Sequence, residues 1–452
     1  MMLPQAAGTT RVAATGDSIL TRRLSAIQRP EFLELVGLLR GADVAFTNLE
    51  MVFPGPDRQP GATYHGTHLG VDPELLDEFG WLGFDVYGMA NNHATDYGTN
   101  GLTASLAELS SRGMPFAGAG HTLREARRPV YLQTPSARVA LIAATSSNAR
   151  LSVAADPGDG DRGRPGVAPV RVGKTYFIRE DHFGDLRSII AETGLDVRAT
   201  GTTAPGIFLP YPDRNIWDAP PPGGFAVESV HFAPDETSHI TTTARQRDID
   251  ALTDVVDEAR RQADLVFVAL HCHEGDGGRW NTETPAEFLA PLAHALIDAG
   301  AHAIFGSGPH MLRGVEIYRG RPICYSLGNF IFTLETIGSF PVEVYEQLGL
   351  PPTSSAADLY DEITGYATER RFWETVVPSF DFAADGRLVS AELVPVTLGH
   401  GQPRARRGCP GLASESDGHA ILERLAALSK PFGTHLEITS ADGLASGRIA
   451  VS

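Results

Sequence analysis

Cysteine is scarce in this chain of 452 residues: Cys272, Cys324 and Cys409 are the only three. They lie far apart and form no disulfide framework, which points to a reducing compartment. Positive charge is also short. Lys and Arg total 37 against 55 Asp and Glu, for a net charge of −18. A general nucleic-acid binder needs a basic surface against the phosphates, so that class is excluded. No apolar run is long enough to span a bilayer. The opening MMLPQAAGTTRVAATGDS has no basic stretch leading into an apolar one, so no leader is read there. These absences set the expectation of a cytoplasmic protein with no membrane partner. Internal repeats and a dinucleotide-type glycine fingerprint are missing too.

What is present is ordinary for a folded protein: 42% hydrophobic and 20% charged residues. The length exceeds the roughly 250–300 residues at which single cores stop growing, so one elaborated domain or two domains are expected. Short apolar stretches read as strands at 12–15, 43–47, 84–89, 138–145, 265–270 and 303–305, with 323–332 following. Helical spacing marks 30–39, 100–112 and 246–262. Thr284-Pro285-Ala286-Glu287 reads as a capping box opening a helix to about Ala299. Asp385-Gly386 is a hairpin turn, and a helix near 418–428 reads as a peripheral layer. Strands alternating with helices predict an α/β fold.

Residues 150–245 differ. Pro and Gly punctuate DPGDGDRGRPG and YPDRNIWDAPPPGG, and apart from a short helix near 182–192 this segment reads as long loops. Its aromatics, Tyr176, Phe177, Phe208, Tyr211, Trp217, Phe225 and Phe232, favour an ordered insertion, because disordered segments are poor in them.

Five strand-like segments end in polar clusters: Asp17, Glu50, Asn92-His93, His271-Cys272-His273 and Ser307-Gly308-Pro309-His310. Sites in such sheets form outside the carboxyl ends of strands. Mixed oxygen and nitrogen donors suit Mn, Zn, Fe, Ni or Ca. Each cluster also has a bland reading. Asp17 caps a helix, Glu50 is a rim charge, Asn92 and His93 close a turn on themselves, and the imidazoles are strand-end residues. Cys272 reads as a buried inert thiol, His294 and His302 as structural, and Arg404, Arg406 and Arg407 as surface. His231 and His239 lie in the insertion, open to substrate or to solvent.

GDS (16–18), TNLE (47–50), ANNHATDYG (90–98), GAG (118–120), LHCHEG (270–275) and GSGPHMLRGVEIYRGRPICYSLGNFIF (306–332) resemble the CapA-like family of capsule and poly-γ-glutamate synthesis proteins. That family sits within the metallophosphatase-fold superfamily. The resemblance implies a four-layer α/β/β/α sandwich over residues 10–335, with the insertion at 150–245 as a possible substrate groove and 336–452 as a C-terminal elaboration packing on the core. It implies two divalent metal ions. Asp17, Glu50, Asn92, His271 and His310 would be their ligands, with Glu50 bridging. His93 would be an acid/base beside the metals, oriented by Asp96, and His273 a ligand or a base. Asp17 is also a candidate base.

Two positions depart from the pattern. Phosphatases of this fold usually carry Asp-x-His at the first strand, where Ser18-Ile19 follow Asp17 here. Many relatives have His in place of Ser307. Both make plain phosphoester hydrolysis less fitting. Soluble relatives are associated with ribosomally made peptides, including epimerisation at a peptide Cα in lasso-peptide biosynthesis. The resemblance therefore points to a metal-dependent peptide epimerase acting near a C-terminal residue. The alternatives are a metal-dependent hydrolase of phosphoester, amide or γ-glutamyl bonds, and a non-catalytic polymer-binding protein. The partner is a peptide or a polyglutamate-like chain.

Overall fold

The computed structural model describes residues 5, 8–56, 58–61, 67–160, 162–195, 220–227, 230–337, 340–363, 365–366 and 368–451. The fold is mixed α/β, as expected, built on two large sheets. The larger holds ten strands. Its middle is the first strand, Thr9–Ile19, with Val44–Leu49 and then Val86–Gly88 parallel on one side. The second sheet has six strands and centres on Leu265–His271, flanked in parallel by Arg138–Thr145 and Ala303–Ser307.

Alternation along the strands divides the core. Val12 and Ala14 face one cluster, while Ala13 between them faces another. The Val12 cluster also contains Leu141, Phe267 and Phe305, so it is the interface of the two sheets. Phe46 and Phe305 stack across it with ring centroids 5.4 Å apart. The far face of the larger sheet packs on the helices Pro30–Arg40 and Gly98–Ser111 through Phe32, Leu35, Leu102 and Leu106. The far face of the smaller sheet packs on Gln246–Arg260 and Leu289–Asp298 through Leu252, Val256, Leu292 and Leu296. Each such side chain contributes roughly 1.5–3 kcal/mol on burial.

Four expectations need correction. The stretch 323–332 is two strands in different sheets: Arg321–Cys324 joins the smaller sheet and Asn329–Phe332 the larger. The crossing brings Gly328 onto Gly16, where an added Cβ would lie 1.9 Å from the Gly328 carbonyl oxygen. Only glycine fits at position 16. The capping box does not form. The helix starts at Leu289, and the Glu287 carboxylate instead accepts from the Gly277 amide and the Thr242 amide and hydroxyl. Among its described residues, the insertion is not mainly loop. Val172–Arg179, Phe225–Val227, Val230–Asp235 and His239–Ala244 make a four-stranded sheet with the helix Glu180–Thr193. Aromatics on its two inner strands pair strand to strand, as in Tyr176 on Phe232. Phe208, Tyr211 and Trp217 lie outside the described residues.

The fourth correction concerns the helix expected near 418–428. It spans Glu415–Ser429 and buries Ile421, Leu422 and Leu425 completely, so it is more than a peripheral cover. The hairpin turning at Asp385-Gly386 runs Glu374–Ala383 and Leu388–Thr397, and its first strand pairs antiparallel with Thr9–Ala13. Chain from the C-terminal segment thus completes the larger sheet. Among the described residues, no helix is long and apolar enough to cross a membrane.

Candidate metal centre

Strand ends deliver the polar clusters to one place. Asp17 lies inside the first strand, where the pairing register shifts on both sides. Its Oδ1 accepts from Asn48 Nδ2 at 2.7 Å and its Oδ2 from the Gly308 amide at 2.8 Å. Burial pushes the Asp17 carboxyl up, but the His271 and His310 imidazoles and the Gly308 amide outweigh it, so it sits below its ordinary value. Glu50 follows the second strand and is fully buried.

Neither carboxylate oxygen of Glu50 has a hydrogen-bond partner among the described residues. Burial, then the charges of Asp17 and Asp96, hold this carboxyl well above its usual range. A buried carboxylate without partners costs several kcal/mol unless a cation neutralises it. Glu50 Oε1 faces His271 Nε2 at 3.6 Å and His273 Nε2 at 3.9 Å, and Oε2 faces His310 Nδ1 at 3.8 Å. Two donor sets result, Glu50-His271-His273 and Asp17-Glu50-His310, and Glu50 belongs to both. An orphaned carboxylate shared by two nitrogen-and-oxygen sets fits divalent metal, which these residues would hold.

The surrounding bonds aim the imidazoles. His273 Nδ1 lies 2.7 Å from Asn281 Oδ1, so it carries the proton and Nε2 turns its lone pair toward Glu50 and Asn92. His271 Nε2 lies 2.9 Å from Asn92 Oδ1, while its Nδ1 faces Ser307 Oγ at 3.1 Å. Asn329 Nδ2 donates to the carbonyls of His310 and Phe372, and its Oδ1 lies 2.8 Å from His310 Nδ1, the nitrogen that also faces Asp17 and Glu50. Burial lowers the His310 imidazole to about 4 and holds that of His273 well below its ordinary value, so both stay neutral near pH 7, the form a metal needs.

Asn91 and Asn92 divide their work. Asn91 ties the turn, donating to the Leu49 carbonyl and accepting from the His93 amide. Asn92 faces the imidazoles. His93 Nδ1 bonds Asp96 Oδ2 at 2.8 Å, and its Nε2 stands 3.9 Å from Glu50 Oε1. Asp96 Oδ2 also accepts from the Leu69 amide, which pins the dyad to the neighbouring segment.

A cleft of about 730 Å³ opens over the centre. Asn92, His93, His273 and His310 form part of its wall, and Ile19, Leu334, Ile363, Tyr360 and Tyr366 another part. Trp280 stacks on His273 with centroids 4.7 Å apart and is still 55% exposed. The described residues lining the cleft include no Lys or Arg. Ile19, at the position where phosphatases usually carry His, makes an apolar floor.

The roles of Asn48, Asn281, Asn329, Trp280 and Tyr366 escaped the sequence reading. Asn48 and Asn329 had a signal, since they sit inside TNLE and the block 306–332; Trp280 and Asn281 lie just past LHCHEG and turn back onto His273, and Tyr366 arrives from a distant segment. The remaining histidines and Cys272 stand apart. The Cys272 thiol is buried and pushed up to about 12, so it is inert. His302 accepts from the Val266 amide, and His294 meets Glu316. Arg404 is exposed, as expected, and pairs with Asp358 and Asp361. Arg407 is more buried and pairs with Asp361 and Glu335.

Comparison with known proteins agrees with the motifs. The family described as "Bacterial capsule synthesis protein PGA_cap" matches residues 11–334. The uncharacterized protein y4sH of Sinorhizobium fredii is 33% identical, covering 96% of this chain and 92% of its own. The PGA biosynthesis protein CapA of Bacillus subtilis is 24% identical over 72% of this chain and 67% of its own. A probable polyglutamine synthesis accessory protein of Mycobacterium tuberculosis is 24% identical over 89% and 76%. The chain belongs to the bacterial capsule synthesis, or CapA-like, family.

Proposed function

We propose that the protein is a metal-dependent enzyme acting on a peptide, and that its reaction is acid/base epimerisation at a Cα near a free carboxylate. This reading takes the three cores as the interfaces of a four-layer α/β/β/α sandwich of the metallophosphatase kind. It takes Asp17, Glu50, Asn92, His271 and His310 as holding two divalent ions, with His273 adding to one of them.

The observation that carries the substrate side is the cleft wall. A poly-γ-glutamate chain presents one carboxylate per residue, and recognition of such a run calls for Lys or Arg. The described lining has neither, and the net charge of −18 opposes a polyanion further. A peptide with a single carboxylate and an apolar side chain suits these walls better. Bound ions would supply Lewis acidity to a substrate carboxylate or carbonyl. His93 then has the geometry of a base: Nδ1 on Asp96, and Nε2 beside Glu50 at the wall of the cleft.

A second reading keeps the scaffold and changes the reaction to hydrolysis of a γ-glutamyl, amide or phosphoester bond. The printed names of the relatives, which concern poly-γ-glutamate and polyglutamine, favour it. Ile19 and Ser307, standing where imidazoles are usual, count against the phosphoester form.

The test is incubation in deuterium oxide with a pool of synthetic peptides carrying each chiral residue at a free C-terminus. Mn, Zn, Fe, Ni and Ca are tried in turn. Deuterium uptake with inversion and no change in chain length supports epimerisation. Shortened peptide, shortened poly-γ-glutamate or released phosphate decides for hydrolysis.

A further inference from the structure

We propose that Tyr366 is the second proton carrier of the site, delivering a proton to the substrate Cα from the face opposite His93. The proposal rests on the epimerase reading.

Inversion needs a base on one face of the carbon and an acid on the other. His93 is fixed on the Oε1 side of Glu50. On the Oε2 side stands His310, and Tyr366 packs edge-on against it with centroids 5.9 Å apart. The phenol ring is immobilised. Phe332 and Phe372 hold it at 5.3 and 4.9 Å, and the Trp373 indole N–H donates to the Tyr366 carbonyl. The hydroxyl has no hydrogen-bond partner among the described residues, although the ring lines the cleft. Ordinary packing would be served as well by Phe. A phenol is protonated at neutral pH, so it is a donor there. Among the described residues lining the cleft, the remaining hydroxyl groups belong to Thr67, Ser147 and Tyr360. Ser147 Oγ is committed to the Glu274 carboxylate, and Tyr360 Oη bonds Thr67 Oγ1.

The step balances. The Cα–H bond breaks and His93 Nε2 takes the proton, while the electron pair moves into the neighbouring carbonyl to give an enolate. The Tyr366 O–H bond then breaks and a new Cα–H bond forms on the other face. This leaves His93 protonated and Tyr366 as phenolate. Proton exchange with water in the open cleft restores both, and the reverse reaction exchanges their roles. No oxidant or reductant enters.

The test is Tyr366→Phe with the same peptide pool in deuterium oxide. The wild type should exchange and invert together. Y366F should still exchange the Cα proton of the L-peptide through His93, yet invert ~100-fold more slowly or worse. His93→Gln should lose exchange from the L-peptide. Inversion by Y366F at the wild-type rate overturns the proposal. So does an equal loss of exchange and inversion with an unchanged unfolding midpoint. If Y366F does not fold, fluorotyrosine at 366 replaces it. The ratio of inversion to exchange should then change at least tenfold, and an unchanged ratio overturns the proposal. A wild type that shortens its substrate without exchange removes the epimerase reading and this proposal together.

Discussion

Glu50 is the residue on which the metal reading turns. Its two buried oxygens have no partner among the described residues and are shared by two donor sets, which fits divalent metal at this position. Divalent metal should therefore raise the melting temperature of the wild type, by about 2.7 kcal/mol of stabilisation at a hundredfold excess over Kd. Glu50→Gln should lose that rise; a melting shift that survives E50Q would place the metal elsewhere. The His93–Asp96 pair makes a separate prediction. His93→Gln should lower kcat by roughly 10²–10⁴, and Asp96→Asn by less, because the base remains but its tautomer is no longer held. Equal losses in kcat would argue against a positioning role for Asp96. His302 governs acid sensitivity away from the site. Burial, then the charges of Arg321 and Arg260, lower its pKa from 6.5 to about 3 in the folded protein. Between those values the unfolded chain binds a proton that the folded chain refuses, so stability is complete above 6.5 and falls as pH drops toward 3. Urea unfolding across that window should show a shallower pH slope for His302→Asn than for wild type.

At the scale of elements, the site depends on two close arrangements. The first is the crossing of residues 325–328 from one sheet to the other, directly over Gly16. Gly16→Ala should destabilise by about 3 kcal/mol or more, since backbone and not a flexible side chain blocks the methyl. The second is the helix Ala356–Glu362, which brings Tyr360 to the cleft and is tied by Asp361 to Arg407. Arg407→Ala should raise KM with little change in kcat, because it loosens a wall and not the reacting groups. Strands such as Arg138–Thr145 were legible to the residue because a buried strand needs an unbroken apolar run. The split of 323–332 was not, because both halves are apolar and only tertiary pairing separates them. The insertion sheet hid behind its Pro and Gly punctuation. Asp17, Glu50, Asn92, His93, His271, His273 and His310 were legible as a set through the motifs. Tyr366 lies in a segment with no periodicity and becomes visible only through its neighbours.

At the scale of the whole molecule, one sheet is assembled from both ends of the chain. Thr9–Ala13 pairs with Ser379–Ala383, and that hairpin shields Phe380 and Phe382 in the interface between the sheets. A chain ending at residue 335 should expose the edge of the first strand and that interface, and should aggregate instead of unfolding cooperatively. A soluble fragment with a sharp urea transition would contradict this. On the proposed reading, the net charge of −18 and a described cleft lining without Lys or Arg suit a mostly apolar substrate with a single carboxylate. The most direct test of the account is mass spectrometry of the peptide pool in deuterium oxide, with and without chelator. One deuterium gained per inverted residue, at unchanged chain length and only when metal is present, is the predicted result. Turnover that persists under chelation, or that releases a shorter chain or phosphate, would contradict it.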